Sequence, residues 1–275
     1  THLTKLGLRI PMGFVTTADA YRDFLNENHL VEKMNALLTK LDTGDVSALE
    51  KAGQQIRQWI IDATFSPALE KDIREAYKKL TERSEQKEMA VAVRSSATAE
   101  DLPNASFAGQ QETYLNVRGI EDVLLSIKKV FASLYNDRAI SYRVHNGFEH
   151  SQVALSAGIQ YMVRSDKACS GVLFTLDTES GFREVVFITG SYGLGETVVQ
   201  GSVSPDEYIM YKPNLKSSKP AILSKKLGGK AIKMIYADTG SKEFVKTLEV
   251  PKKERSQFVL TDEELHELGK MAVII

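Results

Sequence analysis

Cysteine is nearly absent: Cys169 is the one thiol in the 275-residue sequence. No internal disulfide can form, which fits a reducing compartment. A lone thiol beside an apolar run reads as inert before it reads as a nucleophile. An excess of either charge is also lacking. The 35 Lys and Arg residues balance 36 Asp and Glu to a net charge of -1, which leaves no electrostatic case for nucleic acid or an anionic membrane. No apolar run approaches the ~20 residues of a membrane span, and the opening residues carry no signal-peptide pattern. A cytoplasmic protein is the expectation. Internal repeats and low-complexity tracts are missing too.

What is present is ordinary globular material. Hydrophobic residues make up 43% and charged residues 26%, enough for one large or two modest domains with real cores. Thr16 and Asp19 read as a capping box. Tyr21, Phe24, Leu25, Leu30, Met34, Leu37, Leu38 and Leu41 follow at helical spacing until Thr43-Gly44. Asp45 is a candidate cap for a helix along Leu49, Ile56, Trp59 and Ile60. Ser66-Pro67 opens another along Leu69, Ile73, Tyr77 and Leu80. The strongest helical pattern runs from Ile120 to Leu134, continuing or restarting through Tyr142 and ending at Asn146-Gly147.

From Val153 the period changes. Val153 to Val163, Gly171 to Leu176, Glu184 to Thr189 and Glu207 to Tyr211 read as strands. Ile222 to Leu227 and Ala231 to Tyr236 flank Gly228-Gly229, a hairpin signal. Thr261 with Glu264 opens a last helix whose inner face is Leu265, Leu268 and Ala272. Helices first, then mostly antiparallel strands, predict an α+β fold with an N-terminal helical segment.

The segment from Met89 to Val117 interrupts the helices. Met89 to Val93 and Thr113 to Val117 are strand candidates, and the first must end at Arg94. About nineteen residues lie between them, dense in Ser, Thr, Asn, Gln and Ala. A loop that long in a compact chain generally has a job. Arg94 presents a planar fork of donors that matches phosphate oxygens. The hydroxyls of Ser95, Ser96, Thr98 and Ser106 add donors, and Gly109 lets backbone N–H groups approach an anion. No G-x-x-x-x-G-K-[ST] or G-x-G-x-x-G pattern stands here. The chemistry alone leaves two readings open: a polyphosphate-binding hairpin, or a polar surface loop whose Arg94 pairs with Glu100 or Asp101.

VRSSATAEDLPNASFAGQQETYLNV, from Val93 to Val117, resembles the signature of the ATP-binding domain of the phosphoenolpyruvate synthase (pyruvate, water dikinase) family. Pyruvate phosphate dikinase and rifampin phosphotransferase belong to the same superfamily of phosphoenolpyruvate-utilising enzymes. AGIQYMVRSDKACSGVLFT (Ala157 to Thr175), GSYGLGETVVQGSVSPDEYIMYKP (Gly190 to Pro213) and KLGLRIPMGFVTT near the start extend the resemblance over nearly the whole chain.

The resemblance implies an ATP-grasp fold over residues 1–275, incomplete at both ends, with lobes at 1–163 and 164–275 and the nucleotide between them. It puts Arg94 on the ATP phosphates, as both a binding and a catalytic residue. It takes Gly109 to the loop backbone over the phosphates, Thr113 to a hydroxyl contact with the nucleotide, and Gln160 to ATP. Met162 and Val163 fall in the segment whose backbone reads adenine. Read without it, Thr113 is an ordinary strand residue and Gln160 a buried-strand Gln. Magnesium is expected with ATP. Glu196, Asp206 and Glu207 are carboxylates that can in principle hold it, with surface capping the ordinary alternative for the last two; none is assigned as a ligand.

The implied reaction is ATP + pyruvate + water giving phosphoenolpyruvate + AMP + phosphate, a phosphotransferase step of gluconeogenesis. It passes through a phosphohistidine on a separate domain and ends at a pyruvate-binding barrel. None of His2, His29, His145, His150 and His266 stands in the T-x-G-G-x-x-x-H context of that histidine. The family's G-G-K-N-A-S-L lysine motif, its D-I-E-W strands and its L-Q-A-R segment are also missing. Together with Thr1 in place of Met and the apolar close MAVII, this predicts a piece of something longer that is inactive alone. Homodimerisation is left open. The alternatives are a rifampin phosphotransferase-type dikinase and a nucleotide-binding module without transfer activity.

Overall fold

The computed structural model describes residues 2–84, 89–98, 101–102, 105–106, 112–148, 153–217, 219–238, 241 and 243–275. Helices and antiparallel sheets make up the α+β class expected. The chain divides into two compact units, one formed by Pro11–Met162 and one by the first ten residues with Val163–Ile275. A one-turn helix, α1 (His2–Lys5), opens the described chain.

The unit Pro11–Met162 begins with β1 (Gly13–Val15), followed by helices α2 (Ala18–Glu27), α3 (Leu30–Leu38), α4 (Val46–Asp62) and α5 (Pro67–Glu82). Next come β2 (Val91–Ala97), the two-residue strands β3 (Asp101–Leu102) and β4 (Ala105–Ser106), β5 (Thr113–Val117), α6 (Ile120–Ser133), α7 (Asp137–His145) and β6 (Leu155–Tyr161). Asp45 caps α4 by accepting from Ala48 N–H, and Pro67 opens α5 at a position where its missing donor costs nothing.

The four-stranded sheet has the order β1-β6-β2-β5, with antiparallel neighbours throughout. Helix α6 packs on β2, β5 and β6, and α2 packs on β6. Val123, Ile127, Val130 and Phe131 of α6 are fully buried, as are Val91 and Val93 of β2 and Leu155, Ala157 and Ile159 of β6. Each large side chain buried this way contributes about 1.5–3 kcal/mol over an exposed one. Phe131 also meets Tyr21 edge-on at 5.0 Å and Phe24 at 5.6 Å, which fastens α2 to α6.

The second unit carries β7 (Cys169–Phe174), β8 (Val185–Tyr192), α8 (Glu196–Val199), β9 (Asp206–Tyr211), α9 (Lys212–Leu215), β10 (Ile222–Lys226), β11 (Ile232–Tyr236), β12 (Val245–Glu249), α10 (Lys252–Arg255) and α11 (Asp262–Ile274). Its main sheet has the order β10-β9-β8-β7, and β11 pairs with β12. Leu265 and Ala272 of α11 join a core with Val186, Ile188, Tyr208 and Met210. The capping box at Thr261 and Glu264 is formed from both sides.

Four local expectations are corrected. The cap of α2 is Thr17, which accepts from Ala20 N–H. Thr16 is buried instead and bonds Ala157 twice, through its own N–H and through its hydroxyl oxygen, each at 2.9 Å. The run from Tyr21 to Leu41 is two helices, because His29 sits in the left-handed region at φ 52°. Beside it, the Asn28 amide is committed to the carbonyls of Phe24 and Thr64.

Arg94 does not end its strand. β2 runs on to Ala97 because Ser95, Ser96 and Ala97 pair with Ala157, Ser156 and Leu155 of β6, a partner far away in sequence. Gly228-Gly229 does not join a hairpin either: β10 pairs with β9, and β11 with β12. A Cβ on Gly228 would collide with the Pro205 carbonyl, and its N–H donates to Asp206 at 2.7 Å, so that glycine permits a close crossing of chains.

Candidate functional site: a polar sheet face

Successive side chains on a strand point to opposite faces, and residues paired across an antiparallel ladder share a face. Val93 points into the helical layer, so Arg94 points the other way. Arg94 is paired with Thr113 on β5 and with Gly158 on β6. Gln160 stands two residues beyond Gly158, hence on the same face, paired with Ala92 and with Gly13. Ser96 and Ser156 are paired one step in the opposite direction, and the Ser156 hydroxyl donates to the Ser96 carbonyl at 3.3 Å. Arg94, Thr113 and Gln160, three residues picked out by the resemblance, thus lie on one face of one sheet.

The register explains how β5 delivers Thr113. The ladder between β2 and β5 shifts between Val91 and Val93, and Asn116 takes a left-handed φ of 57° nearby. Such a bulge re-aims the side chains on one side of it. It leaves Tyr114 on the helical side, where the Lys129 amine of α6 lies 5.6 Å over its ring. Thr113 is left beside Arg94.

The side chains differ in how far they are committed. Arg94 is exposed, and among the described residues it makes no ion pair. Gln160 is half-buried, with one long contact from its amide to the Pro11 carbonyl at 3.5 Å, a distance at which a hydrogen bond is weak. Thr113 is half-buried. A guanidinium, a hydroxyl and an amide on one face offer donors suited to anionic oxygens, with the amide also able to accept. Gly109 and Glu100 lie outside the described residues. The Met162 N–H donates to the Ala90 carbonyl at 3.1 Å, so that donor is not free to read a base.

Glu196, Asp206 and Glu207 are each engaged by protein partners. Among the described residues no cluster of His, Cys, Asp and Glu suited to a metal is found. Asp206 is no surface cap: it is fully buried and ion-paired with the equally buried Lys230. Its oxygens also accept from Gly228 N–H at 2.7 Å, Val259 N–H at 2.9 Å and the Tyr208 hydroxyl at 3.2 Å. Glu207 pairs with Lys226 at 3.1 Å, and Glu196 accepts from Gln200 at 2.7 Å. Burial, reinforced by Asp206, pushes the Tyr208 phenol well up. Burial also raises the Cys169 thiol, which fits an inert side chain.

A family model described as the pyruvate phosphate dikinase AMP/ATP-binding domain matches residues 1–275. The chain belongs to that dikinase domain family. It is 57% identical over 276 residues to a phosphoenolpyruvate synthase of Pseudomonas aeruginosa, covering 100% of this chain and 35% of that protein. Its identity to a phosphoenolpyruvate synthase of Escherichia coli is 56%, with the same coverage. A probable phosphoenolpyruvate synthase of Methanocaldococcus jannaschii is 45% identical over 98% of this chain and 22% of its own length. The dikinase-domain chain therefore spans about a third, or less, of these relatives.

The sequence pointed to Arg94, Thr113 and Gln160 through motif resemblance, and Ser96 through its hydroxyl. Ser156 and Gly158 stand out in no motif. Their signal was the alternation of β6, in which Ser156, Gly158 and Gln160 interleave with the buried Leu155, Ala157 and Ile159.

Proposed function

We propose that this chain is the ATP-binding part of a phosphoenolpyruvate synthase, with Arg94, Gly109, Thr113 and Gln160 contacting the nucleotide. The reading is supported most by one observation: the exposed Arg94, with no ion pair among the described residues, shares its sheet face with Thr113 and Gln160. The Arg94 guanidinium binds the phosphate oxygens bidentately and offsets the charge that spreads over them during transfer. The Thr113 hydroxyl donates beside it, and Gln160 orients the other end of the ligand. Holding ATP in one pose makes the transfer effectively unimolecular. Magnesium, expected with ATP, is assigned no ligand among the described residues.

The rest of the proposal concerns the whole protein, a cytoplasmic enzyme of gluconeogenesis. A histidine nitrogen on a separate domain forms a bond to the β-phosphorus, and the bond from that phosphorus to the oxygen bridging it to the α-phosphate breaks, releasing AMP. Water then removes the terminal phosphate as inorganic phosphate. The remaining phosphohistidine hands its phosphoryl group to enolpyruvate at a third domain. The division into two compact units supports a two-lobed ATP-grasp arrangement, close to lobes 1–163 and 164–275 except that the first ten residues and Val163 fall with the second unit.

Product analysis on the full-length protein with ATP and pyruvate tests this. The expected products are AMP, phosphate and phosphoenolpyruvate, and Arg94→Ala is expected to abolish AMP formation with the fold intact. ADP as the nucleotide product would overturn the synthase reading in favour of a simple kinase or ATPase. Wild-type rates in Arg94→Ala would remove Arg94 from the mechanism.

A further inference from the structure

Gly158 is a glycine that the described fold does not require. At Gly13 and Gly171 an added Cβ would run into the carbonyls of Ile159 and Thr189, so those positions must be bare. At Gly158 an added Cβ would stand 3.7 Å from Val15 Cγ1 and 3.8 Å from the Arg94 carbonyl oxygen, which is ordinary contact. Gly158 does not take a positive φ either. It sits in the middle of β6, between β1 and β2, where Gly in place of Ala weakens the strand. Among the described residues no bulge or backbone clash accounts for this glycine, and close approach of a ligand is another setting in which a strand interior carries glycine.

Its surroundings say what approaches. Arg94 is its cross-strand neighbour on one side and Val15, 67% exposed, on the other. Gln160 and Ser156 flank it along β6 on the same face, each about 7 Å away by strand geometry. A cation, an amide and an apolar wall thus frame a bare stretch of backbone. That frame suits a ligand with a polyanionic end, a middle portion that lies close, and a hydrogen-bonding end.

We propose that Gly158 is the floor of the nucleotide site. Its missing side chain lets the sugar and first phosphate of a nucleoside triphosphate lie against β6, the later phosphates on Arg94 and the base toward Gln160. This inference rests on the reading that Arg94, Thr113 and Gln160 hold ATP. Gly158 acts by leaving space, so its substitution obstructs the ligand and spares the unliganded fold.

The test is calorimetric binding of a non-hydrolysable ATP analogue to the full-length protein and to Gly158→Val, Gly158→Ala and Arg94→Ala, with unliganded melting of each. Gly158→Val is expected to bind about 30-fold more weakly and Gly158→Ala about threefold more weakly. Gly158→Ala should not melt below wild type, since its added Cβ meets only ordinary contacts. Wild-type affinity in both Gly158 variants, with Arg94→Ala weakened, overturns the role of Gly158 and leaves the ATP reading standing. Wild-type affinity in Arg94→Ala as well overturns that reading and this inference together. If Gly158→Val does not fold, Gly158→Ala decides: weaker binding at unchanged melting supports the proposal, and undiminished binding overturns it.

Discussion

Arg94 and Lys230 are both cations set against a sheet, one in each compact unit, and their surroundings are opposite. Lys230 is fully buried and bound to Asp206, whose remaining acceptor capacity is taken by two backbone N–H groups and a tyrosine hydroxyl. Arg94 is exposed and has no ion pair among the described residues. A buried charge with every partner in place is committed to the fold, because drawing any of those partners away strands a charge out of water. An exposed guanidinium keeps its donors for something that arrives later. Charge near a strand is therefore no guide to a binding site until its partners have been counted.

The sharpest way to break the contrast is Lys230→Ala. It should destabilise the protein by about 3–5 kcal/mol, because Asp206 stays buried without its counter-ion. Urea unfolding of Lys230→Ala beside Lys230→Met/Asp206→Leu checks this, and the double variant should recover part of the loss. A Lys230→Ala protein as stable as wild type would mean that the buried pair is not structural.

A smaller effect comes from Tyr114, whose phenol is pushed up to about 12 by burial, with Glu112 adding to it. The folded value lies above the unfolded value of about 10, so the fold disfavours the tyrosinate. This contribution is complete below pH ~10 and is lost as pH rises from ~10 toward 12. Unfolding midpoints should fall more steeply between pH 10 and 11 in wild type than in Tyr114→Phe. Equal slopes would place that ring in water and undo the assignment of faces on β5. The smallest effect is expected for Arg94→Ala without ligand, within about 0.5 kcal/mol of wild type. A large loss there would make Arg94 structural and erase its difference from Lys230.

Local signals carried most of the secondary structure. Asp45, Ser66-Pro67 and the Thr261–Glu264 pair mark helix starts through contacts a few residues long, and all three stand as read. The errors share a cause. Arg94 reads as a strand end because nothing near it in sequence shows that β6 continues the pairing to Ala97. Gly228-Gly229 looked like a turn because the Pro205 carbonyl that crowds Gly228 lies more than twenty residues upstream. Thr16 looked like a cap because its bond to Ala157 spans almost the whole unit. For the candidate site, motif resemblance supplied the names of the residues. That they share a face depended on the register of three strands and on the bulge that turns Tyr114 inward.

The strand order β1-β6-β2-β5 carries a consequence for synthesis. β6 is the last strand of its unit to leave the ribosome, yet it lies between the first two. Helices α2 to α6 rest on local contacts and can form early. Meanwhile β1 has no partner, and β2 keeps one edge open, until Tyr161 has emerged. Open edges on a nascent chain invite pairing with a neighbour on the same message. The last pairing ties the two ends of the unit together, because Thr16, just past β1, bonds Ala157 in the middle of β6.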